Sequence, residues 1–147
     1  MKKTVKVSVA ALAHRILSAS KYTCLSDAEK VQLWRITRQL APVATKYDGD
    51  VQDAREKMMP DDGFQGRWDD AVRYQTTQKG MTEGEYLDFN IELRDYNKLV
   101  RDAVKEYGDK EVTLEFEPLS EESFCHLMAS NDWNMDQAVT VGELIVE

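Results

Sequence analysis

The chain reads as a predominantly α-helical α+β protein: a long helical hairpin, a small two-stranded sheet formed near the chain ends, and short C-terminal helices. Three observations predict this. Two long stretches space their apolar residues by three and four, each behind a capping box. Two short stretches, one near each end, alternate with a period of two. Proline and glycine clusters fall between these segments and punctuate them.

At the start, Val5, Val7 and Val9 alternate with Thr4, Lys6 and Ser8, which predicts a short strand. From about Ser8 or Val9 the spacing becomes Val9, Leu12, Ala13, Ile16 and Leu17, an amphipathic helix ending near Ala19. Ser26-Asp27-Ala28-Glu29 is a capping box: the Ser26 hydroxyl can accept from the Glu29 amide while the Glu29 carboxylate reaches back. The apolar set behind it, Val31, Leu33, Trp34, Leu40, Val43, Ala44, Tyr47, Val51, Ala54 and Met58, predicts one bent helix or two consecutive ones, with a kink near Gln39 to Ala41 ahead of Pro42. Trp34 falls within that periodicity and is expected in the core. Met59-Pro60-Asp61-Asp62-Gly63 makes the stop.

A short helix is expected within Gly66 to Gly80, carrying Trp68, Ala71, Val72 and Gln75. Thr82-Glu83-Gly84-Glu85 is a second capping box, opening a helix whose apolar face is Tyr86, Phe89, Leu93, Tyr96, Val100, Ala103 and Tyr107. Glu85, Asp88, Glu92, Asp95, Asp102 and Glu106 keep the same phase one residue earlier, about 100° round the helix. Gly108 is suited to a left-handed C′ position. Val112, Leu114 and Phe116 then alternate with Thr113, Glu115 and Glu117 up to Pro118. Pairing this strand with the first would set lysines opposite glutamates, at roughly 0.2–1 kcal/mol per pair. Ser120-Glu121-Glu122-Ser123 opens a helix that ends at Asn131-Asp132, and Met135 to Val146 fits a last helix with Gly142 as its weak point.

A length of 147 residues suits a single domain spanning residues 1–147. The chain is 42% hydrophobic and 31% charged. No apolar stretch approaches the ~20 residues of a membrane span, so no membrane partner is expected. A net charge of −8 argues against direct nucleic-acid binding and points to a basic protein or a metal ion as the charge-matched partner. Lys6 and His14-Arg15 interrupt what would otherwise resemble a secretory leader. Cys24 and Cys125 lack the spacing of a disulfide framework and read as thiols of a reducing cytosol, hence a cytoplasmic setting.

Carboxylates at helical spacing are the strongest chemical feature. Asp53-x-x-Glu56 and Glu92-x-x-Asp95, if they faced each other, would approximate the Mg²⁺ site of all-α nucleotide pyrophosphohydrolases, which sets out an enzymatic alternative. The basic stripe Arg94, Lys98, Arg101 and Lys105 instead marks a solvated, charge-balanced surface. Asp48 and Asp61 begin no EF-hand loop, and Cys125-His126 with Cys24 and His14 lacks zinc spacing, so ordinary packing is expected there. No phosphate loop or nucleophile elbow occurs. A further alternative is an acidic DNA mimic, with Asp61, Asp62, Asp69 and Asp70 joining the acidic stripe and Arg67, Arg73 and Arg94 interrupting it. No catalytic residue and no cofactor is assigned. The interaction candidates are Trp68 and Trp133, aromatics at loop edges, with Glu85, Asp88, Glu92 and Asp95.

In its order of elements, and most closely over Glu111 to Ser120 with Val112-Thr113-Leu114-Glu115-Phe116-Glu117-Pro118-Leu119, the chain resembles a family of small uncharacterised proteins of tailed bacteriophages. The Pro60 to Met81 excursion departs from that layout. The resemblance implies a phage or prophage setting, in the host cytoplasm or the virion, and carries over no catalytic residues. Together these readings predict a non-enzymatic interaction module that binds a virion component or a host protein, with a homodimer through exposed strand edges as a further arrangement.

Overall fold

Lys2–Lys6 form strand β1 and Glu111–Glu115 form β2, paired antiparallel with Lys2 opposite Glu115, Thr4 opposite Thr113 and Lys6 opposite Glu111. Lysines do stand opposite glutamates, as the charges of the two strands suggest, at Lys2 with Glu115 and Lys6 with Glu111. Lys3 and Val5 turn to the partly buried face, against Leu114 and Val112, while Lys2, Thr4 and Lys6 stay exposed. The Thr4 and Thr113 hydroxyls lie 3.0 Å apart across the outer face.

The computed structural model describes residues 1–147. After β1 come α1 (Val7–Ser18), α2 (Asp27–Lys57), α3 (Phe64–Thr77), α4 (Glu83–Asp109), then β2, α5 (Glu121–Ala129) and α6 (Met135–Ile145). The fold is α+β and mainly helical, as the two periodicities require. No helix is long and apolar enough to cross a membrane.

The chain gathers into two compact units, residues 1–49 with 106–147, and residues 50–105. In the first, Ala10, Ala13, Ile16 and Leu17 of α1 meet Leu33, Ile36 and Leu40 of α2, Leu114 of β2, Leu127 of α5, and Val141, Leu144 and Ile145 of α6. In the second, Phe64 is fully buried, with ring centroids 4.9 Å from Tyr96, 5.5 Å from Phe89 and 5.7 Å from Trp68. The Tyr96 hydroxyl donates to the Arg55 carbonyl at 2.8 Å, tying α4 to α2 within that unit.

Both capping boxes form. Ser26 N–H donates to Glu29 Oε1 at 2.9 Å and Thr82 N–H to Glu85 Oε1 at 3.1 Å, each answered by the reciprocal hydroxyl bond. Ser120 caps α5, and a third box, Asn134 with Gln137, opens α6. Pro42 does not break α2, which runs on for 31 residues. Its missing donor releases the Arg38 carbonyl from the helical ladder, but packing on both sides holds the flanking turns.

Two glycines act otherwise than their local sequence suggests. Gly108 is buried inside α4 rather than left-handed beyond its end. A Cβ there would stand 3.0 Å from Ser8 Cβ, so its bareness lets α1 approach. Gly142 lies against the Phe124 ring, where a Cβ would come within 3.1 Å. What reads as a weak point of α6 is the seat of α5. The left-handed residue that closes a helix is instead Gln78, at the end of α3 with φ 54°.

Candidate functional site

The tryptophans exchange the roles that local sequence suggests. Trp34, expected in the core, is 58% exposed. The buried stripe of α2 in its unit is Leu33, Ile36, Leu40 and Ala44, and Trp34 sits about 100° from Leu33, on the flank. Trp68 and Trp133, the interaction candidates, are each partly buried and engaged. Trp68 packs edge-on to Phe64 and Tyr96. Trp133 tilts against Phe124 and donates its indole N–H to Ser20 Oγ at 3.1 Å.

The acidic candidates divide in the same way. Glu85 is spent on its capping box. Glu92 accepts from Arg67, whose guanidinium also forks onto both oxygens of Asp61 at 2.9 and 3.0 Å and lies over the Phe64 ring. The Arg67 fork holds the Asp61 carboxyl below its usual range. Asp70 pairs with Arg73, and Asp69 accepts from Gln65, so the acids of the DNA-mimic alternative are largely matched by neighbouring donors. Glu56 accepts from Gln52. Asp53, Glu56, Glu92 and Asp95 are not brought together: no set of three or more His, Cys, Asp or Glu side chains could hold a metal ion. Arg67 sits on Glu92 of the Glu92-x-x-Asp95 pair, and an Mg²⁺ site there would first have to strip Glu92 from Arg67.

Asp88 and Asp95 remain exposed on α4. They share the face opposite the core with Leu87, Ile91 and Leu99, each just over half exposed. This apolar–acidic surface of the second unit was only half legible, because the acidic stripe draws attention away from the apolar residues that share its face.

In the first unit, Trp34 is the centre of a surface. Trp34, Tyr22, Lys30, Leu33 and Thr37 line a shallow cavity of about 270 Å³. Val31, three residues before Trp34 and nearly half exposed, extends the apolar face. Arg38 lies over the indole, its guanidinium carbon 5.4 Å from the ring centroid. Tyr22 is held by its hydroxyl, which donates to the Leu17 carbonyl at 2.5 Å. The site is thus a fixed tyrosine, an exposed indole and two cationic side chains.

No family model, curated protein or solved structure matches this chain.

The start of α2, which carries Trp34, is anchored from a distance. Glu29 accepts at once from the Ser26 backbone, from Ser123 and from His126 Nδ1, the last at 2.9 Å. The Ser26 N–H first, then Ser123 and His126, bring its pKa down from 4.5 to about 2. Nothing in the sequence marks His126 as a partner of Glu29, and Cys125 beside it, expected to pack, is exposed. The cluster gives no nucleophilic dyad: Ser123 donates to the carboxylate rather than to the imidazole. Its work is to hold α5 against the first turn of α2.

Proposed function

We propose that this chain is a non-enzymatic protein-interaction module of phage or prophage origin that binds a virion component or a host protein through the surface centred on Trp34. One observation carries the reading: the most exposed aromatic of the chain is a tryptophan on a helix whose first turn is anchored through Glu29, edged by Lys30 and Arg38. Tryptophan and arginine are the residues most enriched among binding hot spots. An indole held 58% exposed in water forgoes burial that a partner's apolar pocket would supply. The cationic edge favours a pocket with an acidic rim, which gives orientation and association rate beyond the apolar contact.

The test is comparative affinity capture from a bacterial host lysate, with the wild-type chain and Trp34→Ala as baits at equal loading. Truncating a hot spot costs about 2 kcal/mol or more, so a stoichiometric partner of the wild type is expected to be lost from the variant, whose circular dichroism stays unchanged. Identical capture by both baits would remove Trp34 from the function. Mg²⁺-dependent nucleotide hydrolysis abolished by Glu92→Gln would replace the interaction reading with the enzymatic one.

A further inference from the structure

The two-stranded sheet leaves one edge open, and its chemistry is readable. Met1 and Phe116 exchange both backbone hydrogen bonds at 3.2 Å, and Val7 N–H donates to the Lys110 carbonyl at 2.8 Å. Bonded and non-bonded residue pairs alternate along an antiparallel ladder. Met1, Lys3, Val5 and Val7 therefore turn their backbone groups toward β2, and Lys2, Thr4 and Lys6 turn theirs away. Since the strand order is β1–β2 and ends there, those three N–H and three C=O groups form an open edge. The far side of β2 differs: Glu115 lines a groove of about 450 Å³ with Arg38 and Pro42 of α2, which narrows access to that edge.

The side chains along β1 specify what could pair with it. Lys2, Thr4 and Lys6 stand exposed on the outer face, and Lys3 and Val5 on the inner one. A strand laid antiparallel on this edge would bring two residues, four apart, opposite Lys2 and Lys6, with Cα atoms about 5.5 Å away. The residue between them would face Thr4, and the two intervening ones would lie on the inner face opposite Lys3 and Val5, the Lys3 ammonium being held by the Glu143 carbonyl. The strand already paired to the other side meets the same demands with Glu111-Val112-Thr113-Leu114-Glu115, its glutamates opposite Lys6 and Lys2. Self-pairing is disfavoured by the same charges. Two β1 strands related by a two-fold axis at Thr4 would set Lys2 against Lys6 twice, and like charges directly opposite destabilise.

We propose that the open edge of β1 receives, by antiparallel strand addition, an extended segment of a partner protein with the pattern acidic–apolar–any–apolar–acidic, its two carboxylates facing Lys2 and Lys6. Backbone bonds at Lys2, Thr4 and Lys6 supply the attachment, and the two lysines supply the selection. Lys6 already reaches Asp109 at 3.4 Å, a long exposed pair that an incoming carboxylate can share. This docking is independent of Trp34.

The experiment titrates the ¹⁵N-labelled full chain with the peptide Ser-Glu-Val-Thr-Val-Glu-Ser and, as control, with Ser-Lys-Val-Thr-Val-Lys-Ser. The acidic peptide is expected to give saturable amide shifts and slowed hydrogen exchange at Lys2, Thr4 and Lys6, weakening as salt is raised, while the basic peptide binds at least about tenfold more weakly. Lys2→Glu should weaken the acidic peptide about two- to fivefold. Thr4→Pro, which removes an outward donor and spares the β1–β2 bonds, should abolish its binding. If circular dichroism shows Thr4→Pro unfolded, the double reversal Lys2→Glu with Lys6→Glu decides, by exchanging the preference between the peptides. The proposal is overturned by absence of shifts at millimolar peptide, by equal response to both peptides, by shifts centred on β2 or Trp34, or by a mass that doubles with protein concentration and shields the same amides, which would assign the edge to a second copy.

Discussion

Gly108→Ala sets a local preference against a tertiary contact, and the structure indicates which wins. Within a helix, alanine is favoured over glycine by about 1 kcal/mol, and by less at a position next to the helix end. Against this, the new methyl would stand 3.0 Å from Ser8 Cβ and 3.5 Å from both Ser8 Oγ and Tyr47 Cε2. Carbon atoms settle at roughly 3.5–4.0 Å, so α1 must yield by about half an ångström along a face whose neighbours Ala10 and Ala13 are fully buried. Overpacking of that kind costs about 1–3 kcal/mol, leaving a net loss of about 1 kcal/mol or more. Gly49→Ala is the control, because Gly49 lies inside α2 with no heavy atom within 4 Å of a built Cβ. Only the propensity gain of about 1 kcal/mol acts there. Urea unfolding at constant m-value should therefore separate the two variants by about 2 kcal/mol in opposite directions from wild type. Adding Ser8→Gly to Gly108→Ala should recover part of the loss. A Gly108→Ala protein as stable as Gly49→Ala would refute the close approach of α1 to α4 in this unit.

Phe64→Ala empties the centre of the aromatic cluster formed with Trp68, Phe89 and Tyr96, and should cost about 3–5 kcal/mol. Hydrogen exchange should show the loss first across residues 50–105, and unchanged protection there would contradict the packing. Pro42→Ala restores a helical donor at an exposed position in α2, so thermal unfolding should report a gain of about 2 kcal/mol after allowance for the freer unfolded chain. Glu29 has a folded-state pKa of about 2 against 4.5 ordinarily. The unfolded state thus binds the extra proton between these values, and the carboxylate's contribution is complete above about pH 4.5 and lost as pH falls toward 2. Wild-type stability should fall through that window, and Glu29→Gln should flatten the fall in acid denaturation followed by circular dichroism.

How far the sequence reached depended on the range of the interaction. Ser26 with Glu29, Thr82 with Glu85 and Ser120 with Ser123 bond over three residues, so their helix starts were readable directly. The strand faces followed from a period of two, and charge indicated lysines opposite glutamates, while the pairing of Lys2 with Glu115 and Lys6 with Glu111 came from the structure. Trp34 misled because an apolar residue on the flank of a helix satisfies a loose three-and-four count, while only the packed neighbours show that the buried stripe runs through Leu33, Ile36 and Leu40. Trp68 and Trp133 showed no burial partner in the sequence for the converse reason: polar neighbours along the chain conceal Phe64 and Ser20 in space.

The residues by themselves therefore determined the elements, their caps, the facing charges of the sheet and the lack of any recognised catalytic motif, because a side chain's bond to its own turn and its alternation along a strand are local. Tertiary structure alone decided which glycine is a close approach, which carboxylate is held by Arg67, and that His126 reaches Glu29 across 97 residues. It also left Trp34 and the outer edge of β1 facing water. Those outcomes depend on where distant segments come to rest, and the burial that places them is nondirectional until the whole core has formed.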